Sequence, residues 1–325
     1  MPEISSLTYG GAVNAALSRV MREMPETILF GEDVGKPGGV FGVTRGLQKE
    51  FGDRVFDTPI SESAILGGAL GAALMGRRPI VEIMWADFSL VALDQIVNQI
   101  ANARYVSNNQ TTAPVVIRTQ QGMGPGACAQ HSQSLEAFFL HAPGLRVVMP
   151  TTPQDAYDAI ISATYCDDPV IVIESRYLYP GDKADVIVDG PVQAIGGSAF
   201  RRHGDDVTAL SWGPITRTVE AAADLASADG IGVEVIEATW LNPLDIDAIH
   251  ASVEKTGRLV IAHEANRTGG FGGEVVSQLV ERGTTFARPP IRIGLPDIRV
   301  PAAPTLLAAV APSQKEVLDA IHSLM

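Results

Sequence analysis

The stretch VFDTPISESAILGGALGAALMGRRPIVEIMW (55–85) contains a complete strand–helix–strand pattern. Two short apolar runs, VFD at its start and PIVEIMW (79–85) at its end, are typical of buried strands. The segment between them predicts a helix over 63–76, although its many glycines lower the intrinsic helix propensity. A helix of this composition is expected where another backbone or a ligand approaches closely. The stretch therefore predicts an α/β fold with a close contact along one helix.

The same alternation of apolar runs and helices continues on both sides of this stretch. Further strands are predicted at 27–33, 114–118, 145–150 and 169–174, and a single helix is predicted over 90–106. Continuous Val and Ile runs separated by helices are typical of parallel strands that are covered on both faces.

A second alternation begins after a stretch rich in Tyr, Pro, Gly and Asp. It predicts strands at 206–212, 232–238, 258–264 and 290–294, with helices between them. The predicted fold class is therefore α/β. A parallel-sheet domain covers 1–176, a linker covers 177–205, and a smaller α/β domain covers 206–325.

Composition and charge exclude several classes of partner. The 325 residues carry a formal net charge of −13, and neither half has the basic surface that nucleic acid or an anionic membrane requires. The longest uncharged apolar stretch, 64–76, is shorter than the roughly 20 residues of a membrane-spanning helix. The N-terminal sequence MPEISSLTYGG has no signal-peptide or transit-peptide pattern, so we expect a cytoplasmic protein.

Two polar residues next to predicted strand ends are candidates for catalysis. Glu62 lies just before the glycine-rich helix, and His131 lies in the glycine-rich loop after strand 114–118. Open α/β sheets bind ligands at this edge, and both residue types serve in proton transfer. Each also has a simpler interpretation, Glu62 as a first-turn acid favoured by the helix dipole and His131 as a hydrogen-bonded loop residue. Met84 and Phe88, after another strand, form either a ligand-binding wall or ordinary core packing.

Several segments in a fixed order carry a family resemblance. They are GEDVGKPGGVFGVTRGL (31–47), VFDTPISESA (55–64), EIMWADFSLVALDQIVNQIANARY (82–105), AQHSQSLEAFFLHAPGLRVVMPTTPQDA (129–156) and HEANRTGGFGGEV (263–275). Together they resemble the β subunit of the thiamine-diphosphate-dependent decarboxylating component of the 2-oxo acid dehydrogenases. That family serves pyruvate, branched-chain 2-oxo acids and acetoin. HSQSLEAFFLHAPG and HEANRTGGF are more similar to the branched-chain members than to the pyruvate members.

The resemblance implies a transketolase-like fold, in which a pyrimidine-binding domain precedes a transketolase C-terminal domain, and thiamine diphosphate as the cofactor. The family's glutamate at the position of Glu62 bonds N1′ of the aminopyrimidine and promotes loss of the thiazolium C2 proton. Met84 and Phe88 match positions that pack on the pyrimidine, and Ile60 matches a neighbouring backbone contact. His131 matches the histidine that faces the substrate and the incoming lipoyl group.

The resemblance also implies partners and metal ions. No Gly-Asp-Gly triplet occurs in the sequence, so we expect an α subunit to hold the diphosphate through Mg²⁺ in an α2β2 heterotetramer. The other implied partners are the lipoyl acyltransferase core of the complex and a small 2-oxo acid substrate. The family often holds a monovalent cation, here K⁺, by backbone carbonyls. The matching positions are Val115, Ala163, Thr164, Cys166 and Asp168.

Two other functions stay open at this point. A split transketolase-like carboligase would use the same cofactor to form C–C bonds and would differ in the acceptor of the acyl group. A non-catalytic assembly subunit would keep the fold without the cofactor, and the joint presence of Glu62 and His131 argues against it. The segment TLLAAVAPS (305–313) lacks the acid that many family members carry there, so the subunit contacts of the C-terminal tail are not predicted.

Overall fold

The computed structural model describes residues 2–325, and the chain forms two compact units. The first consists of the chain up to Gln121 together with Phe138–Ile195. The second consists of Gly122–Ala137 together with Gly196–Met325. The loop that carries His131 therefore belongs to the second unit, although it lies between two strands of the first in sequence.

The first unit alternates strands and helices. Its strands are β1 (Ile4–Leu7), β2 (Thr27–Gly31), β3 (Val55–Asp57), β4 (Arg78–Ile83), β5 (Val116–Gln121), β6 (Arg146–Val148), β7 (Val170–Ser175) and β8 (Ala184–Ile187). Its helices are α1 (Tyr9–Glu23), α2 (Leu47–Phe51), α3 (Glu62–Leu74), α4 (Ala86–Ser89), α5 (Ala103–Val106) and α7 (Pro153–Tyr165), and α6 (Glu136–Leu140) begins in the loop of the second unit. Side-chain caps begin two of its long helices: Thr8 accepts the Gly11 N–H at α1, and Thr152 and Asp155 form a capping box at α7.

The main sheet of the first unit is parallel, as predicted. Its strands lie in the order β6, β7, β5, β4, β2 and β3, and each pair runs in the same direction. β5 and β7 are buried over their whole length, as expected for parallel strands covered on both faces. β1 and β8 form a separate antiparallel pair, and β8 lies in the predicted linker. The carboxyl ends of β2, β3 and β4 meet at one edge, where Glu62, Met84 and Phe88 follow.

The single helix predicted over 90–106 is wrong. The structure has a 3₁₀ turn over 90–92, a π-helical turn over 95–100 and the short α5. Ala101 donates its N–H to the Ile96 carbonyl, five residues earlier, at 3.0 Å. A π-helical turn contains one residue more than an α-helical turn and therefore shifts the helical register. The spacing of the apolar residues alone does not reveal this shift.

The second unit is also α/β. Its strands are β9 (Ala199–Arg202), β10 (Val207–Ser211), β11 (Val233–Glu237), β12 (Trp240–Asn242), β13 (Leu259–Asn266) and β14 (Ile291–Leu295). Its helices are α8 (Ile215–Ala228), α9 (Ile246–Thr256), α10 (Gly272–Glu281), α11 (Pro304–Val310) and α12 (Gln314–Leu324).

The sheet of the second unit has the order β14, β13, β10, β11 and β9. The four strands predicted there correspond to β10, β11, β13 and β14, which are parallel. β9 comes from the predicted linker and adds an antiparallel edge beside β11. α8 and α12 pack on this sheet around buried side chains such as Val219, Val235 and Ile321. No helix within residues 2–325 is long and apolar enough to span a bilayer.

Candidate active site

Glu62 is the first residue of α3, one position before the predicted start of this helix. The preceding turn is held against the end of β2 because Thr58 donates its N–H to the Gly31 carbonyl at 2.9 Å. The Glu62 side chain is half-buried, whereas Ile60 is 73% exposed. Glu62 stands at an accessible edge of the sheet with its carboxyl available to a ligand.

Two further acids lie near Glu62, and the sequence analysis did not assign them to the site. Glu32 and Asp33 follow β2, which lies beside β3 in the sheet. Partial burial, followed by the negative charges of Asp33 and Glu62, raises the pKa of Glu32. The signal available in the sequence was the Gly-Glu-Asp that ends β2, because neighbouring parallel strands end at the same edge.

Met84 and Phe88 follow β4, the other neighbour of β2. Both side chains are half-buried, so part of each remains accessible to a ligand. Phe88 is placed by the short helix α4, where its N–H bonds the Trp85 carbonyl at 2.9 Å. A carboxyl and accessible apolar side chains at one sheet edge suit a flat heterocycle that has apolar faces and a polar rim. These residues therefore fit the aminopyrimidine of thiamine diphosphate.

The glycine-rich face of α3 is open. A β-carbon added at Gly68 or Gly71 would meet nothing within 4 Å. An apolar groove of about 340 Å³ runs beside this face and is lined in part by Phe30, Phe56 and Ala64. The predicted close contact along this helix is therefore not made by residues 2–325 of the chain itself, and the face is free to receive another surface.

His131 is half-buried in the loop 122–137 of the second unit. The Gly126 N–H bonds the Ala302 carbonyl at 3.1 Å, and Arg299 donates to the Gln133 side chain at 2.9 Å. Met123 packs against the small apolar cluster formed by Leu295, Val300 and Leu307. The loop thus takes its position from the C-terminal part of the chain, which sequence reasoning did not anticipate.

The predicted cation ligands lie near a guanidinium group. Arg78 Nη1 donates to the Thr164 carbonyl at 2.8 Å and to the Cys166 carbonyl at 3.0 Å. The Val115 and Ala163 carbonyls accept backbone N–H groups. Two of the five predicted carbonyls therefore already face a positive charge.

The remaining predicted ligand, Asp168, is also engaged. Burial opposes ionisation of Asp168, but hydrogen bonds from Arg146 and Arg104 outweigh it and lower the pKa of the carboxyl. Arg78 pairs with Asp167, so three guanidinium groups surround this region against two carboxylates. The binding of a monovalent cation by these backbone carbonyls stays a prediction. Among residues 2–325, no group of three or more His, Cys, Asp and Glu side chains is arranged to hold a metal ion.

Comparison with known proteins agrees with this geometry. The model of the transketolase pyrimidine-binding domain matches residues 5–182, and that of the transketolase C-terminal domain matches residues 196–317. The chain is 41% identical over 289 residues to the pyruvate dehydrogenase E1 component subunit beta of Staphylococcus epidermidis, covering 89% of each protein. It is 40% identical over 304 residues to the Staphylococcus aureus protein of the same name, covering 93% of this chain and 92% of that protein.

A solved structure shares the fold. The inactive β4 tetramer of a split-gene transketolase superposes with a TM-score of 0.80 over 98% of both chains, at 22% sequence identity. At this identity the similarity shows the fold alone.

Proposed function

We propose that this chain, which belongs to the transketolase-like family of pyruvate dehydrogenase E1 β subunits, supplies the pyrimidine-binding half of a thiamine-diphosphate-dependent 2-oxo acid dehydrogenase. The proposed reaction is the oxidative decarboxylation of pyruvate or a branched-chain 2-oxo acid, followed by reductive acylation of a lipoyl domain. The observation that carries the proposal is the accessible Glu62 carboxyl at the sheet edge that also bears Met84 and Phe88.

Residues of the first unit would bind and orient the cofactor. When bound, thiamine diphosphate supplies the electron sink for the loss of CO2. Glu62 would hold a proton at N1′ of the aminopyrimidine. Met84 and Phe88 would orient the ring by apolar contact, and the exposed segment at Ile60 would offer a backbone contact.

His131 would act at the acyl-transfer step. An imidazole is suited to moving a proton to or from a thiol such as that of the lipoyl group. Its loop is anchored at several points to the second unit, which would hold the ring ready for the incoming lipoyl domain.

A partner subunit would complete the site. The open face of α3 at Gly68 and Gly71 and the exposed apolar side chains Met75, Tyr105 and Val106 suit a protein interface. We assign this role to an α subunit in an α2β2 heterotetramer, in which the α subunit holds Mg²⁺ and the diphosphate. The assembly would bind the lipoyl acyltransferase core of a cytoplasmic complex. K⁺ at the matching carbonyls would be a structural ion with no part in the proposed chemistry.

The variant Glu62→Gln tests the proposal in the enzyme reconstituted with its α subunit. The amide keeps the shape of the carboxyl but does not supply its acidity, so decarboxylation of the 2-oxo acid should fall by at least about 100-fold. Glu281→Gln, on an exposed helix end of the second unit, is the matched control and should keep wild-type turnover.

Decarboxylation is measured with pyruvate and with a branched-chain 2-oxo acid, first with an artificial electron acceptor and then with a lipoyl domain. Near-wild-type turnover of Glu62→Gln would contradict the assignment of Glu62. Acyl transfer to an aldehyde but not to the lipoyl domain would replace the proposal by the carboligase function.

A further inference from the structure

Glu136 is a buried carboxyl at the end of the loop that carries His131. It begins α6, five positions after His131, and is 1% exposed. A buried carboxylate requires hydrogen-bond donors, because removing it from water without them is costly. One donor is the indole N–H of Trp212, which bonds Glu136 Oε1 at 3.2 Å.

Trp212 is itself held rigidly. It follows β10, is 1% exposed and stacks on the His263 imidazole, with ring centroids 5.2 Å apart and planes at 17°. Phe271 contacts the indole from another direction at 5.7 Å, with the planes at 67°. The direction of the indole N–H is thus set by aromatic packing within the second unit.

The His263 ring under Trp212 has little freedom to move. It is fully buried, and Nδ1 lies 3.1 Å from the Ala265 carbonyl. A β-carbon at any of three surrounding glycines would come within 2.7–3.1 Å of the imidazole: Gly270, Gly272 and Gly294. The absence of β-carbons at these three glycines leaves room for the His263 imidazole in one position. In that position the imidazole supports the Trp212 indole.

We infer that Trp212 is a positioning residue for His131, which it places through the hydrogen bond to Glu136. The inference rests on the proposed role of His131 in acyl transfer. The contact of Gly126 holds the loop before His131, and the contact of Gln133 holds it just after His131. Glu136 holds the end of the loop. Loss of the indole N–H would weaken the hold on this end, and a small displacement of an acid–base group is costly to the step it serves.

The test uses Trp212→Phe in the holoenzyme reconstituted with the α subunit, because this change removes the N–H and keeps an aromatic ring. Acylation of a lipoyl domain should lose about tenfold in kcat, while decarboxylation with an artificial acceptor should stay within about twofold of wild type. A general loss of folded enzyme would lower both activities in proportion, so the ratio of the two reports positioning.

Trp240→Phe is the matched control. Trp240 is also fully buried, but its indole N–H has no hydrogen-bond partner among the described residues, so the substitution deletes an N–H without breaking a bond. We expect Trp240→Phe to leave the ratio of the two activities at the wild-type value. The same ratio of lipoyl acylation to artificial-acceptor decarboxylation in Trp212→Phe and Trp240→Phe would overturn the inference.

Variants of Glu136 keep the test decisive if Trp212→Phe does not fold. Glu136→Gln retains an oxygen acceptor for the indole and should keep wild-type acylation. Glu136→Leu removes the acceptor without leaving an unpaired charge and should show the same selective, about tenfold loss of acylation. Wild-type acylation by Glu136→Leu would overturn the inference.

His131→Ala, measured in parallel, separates this inference from the proposed function. A selective loss of acylation in His131→Ala supports the role of His131, and the Trp212 and Glu136 variants then decide the positioning role. Equal losses of acylation and decarboxylation in His131→Ala would instead overturn the role of His131 and, with it, this inference.

Discussion

Each unit buries carboxyl groups, and the two units provide them with different partners. In the first unit, Arg118 on β5 bonds Glu82 on β4 at 2.7 Å and Glu174 on β7 through two bonds of 2.6 and 2.9 Å. All three side chains are at most 4% exposed. In the second unit, the Glu136 carboxyl accepts a hydrogen bond from the neutral Trp212 indole.

The difference separates an ion-pair cluster that stabilises the fold from a buried hydrogen bond that places a loop. The pairs around Arg118 join adjacent strands, and Glu82 lies directly opposite Arg118 in the register, so the sheet cannot form without bringing them together. Trp212 lies 76 positions from Glu136, and its bond depends on where the loop 122–137 lies. Breaking the ion-pair cluster should therefore cost stability, whereas breaking the buried hydrogen bond should cost activity.

The largest effect is expected from Arg118→Met. The substitution keeps much of the volume but leaves two carboxyls buried without their cation, and such losses typically cost about 3–5 kcal/mol of unfolding free energy. Urea denaturation of the isolated chain measures this change. Arg22→Met is the control, because its pair with Glu50 is exposed at the surface and should contribute little. Similar small losses in both variants would remove the distinction between the ion-pair cluster and the buried hydrogen bond.

Glu82→Gln is expected to increase the free energy of unfolding, by less than Arg118→Met lowers it. Burial raises the pKa of Glu82, and the Glu174 charge adds to it while Arg118 only partly offsets both. Because the pKa is raised in the folded state, the contribution of Glu82 is complete below the unfolded value of about 4.3 and is lost as the pH rises. Gln does not titrate and leaves Arg118 paired with Glu174. The variant should match wild type near pH 4 and exceed its stability at pH 7.5, as measured by urea denaturation at both values.

The contrary result for Glu82 is equally specific. A Glu82→Gln variant less stable than wild type at pH 7.5 would mean that both carboxylates are needed to neutralise Arg118. The cluster would then stabilise the fold as a triad, and the excess negative charge inferred here would be wrong.

The smallest effect is expected in the second unit, where His263→Asn should change the pH dependence of stability. Burial lowers the pKa of His263, and the Glu136 charge opposes this only in part. The stability supplied by the neutral ring is therefore complete above the unfolded pKa of about 6.5 and is lost as the pH falls through the lower folded value. Asn keeps an N–H for the Ala265 carbonyl but does not titrate in this range.

Thermal unfolding between pH 5 and pH 7.5 measures the His263 contribution. Wild type should lose more stability than His263→Asn as the pH falls, because the other histidines are common to both proteins and their effects cancel. Parallel pH profiles for the two proteins would show that the buried ring is protonated as easily in the folded state as in the unfolded chain.

The sequence by itself determined the parallel strands of both units, the family and the main candidate residues. The stretch 55–85 forms the predicted strand, helix and strand, and α3 begins at Glu62. Met84 and Phe88 follow β4 at the edge expected for a ligand. These features were predictable because apolar spacing, turn residues and helix caps act over a few neighbouring positions, which a single sequence displays directly.

Only the tertiary structure decided which distant segments meet. It placed the loop of His131 on the second unit, brought Glu32 near Glu62, and set Arg78 against the carbonyl of Thr164, 86 positions away. It also divided the helix predicted over 90–106 by a π-helical turn. Such contacts follow from strand order and from the packing of whole elements, and the free energy that selects them is spread over many residues, so no local pattern in the chain records them.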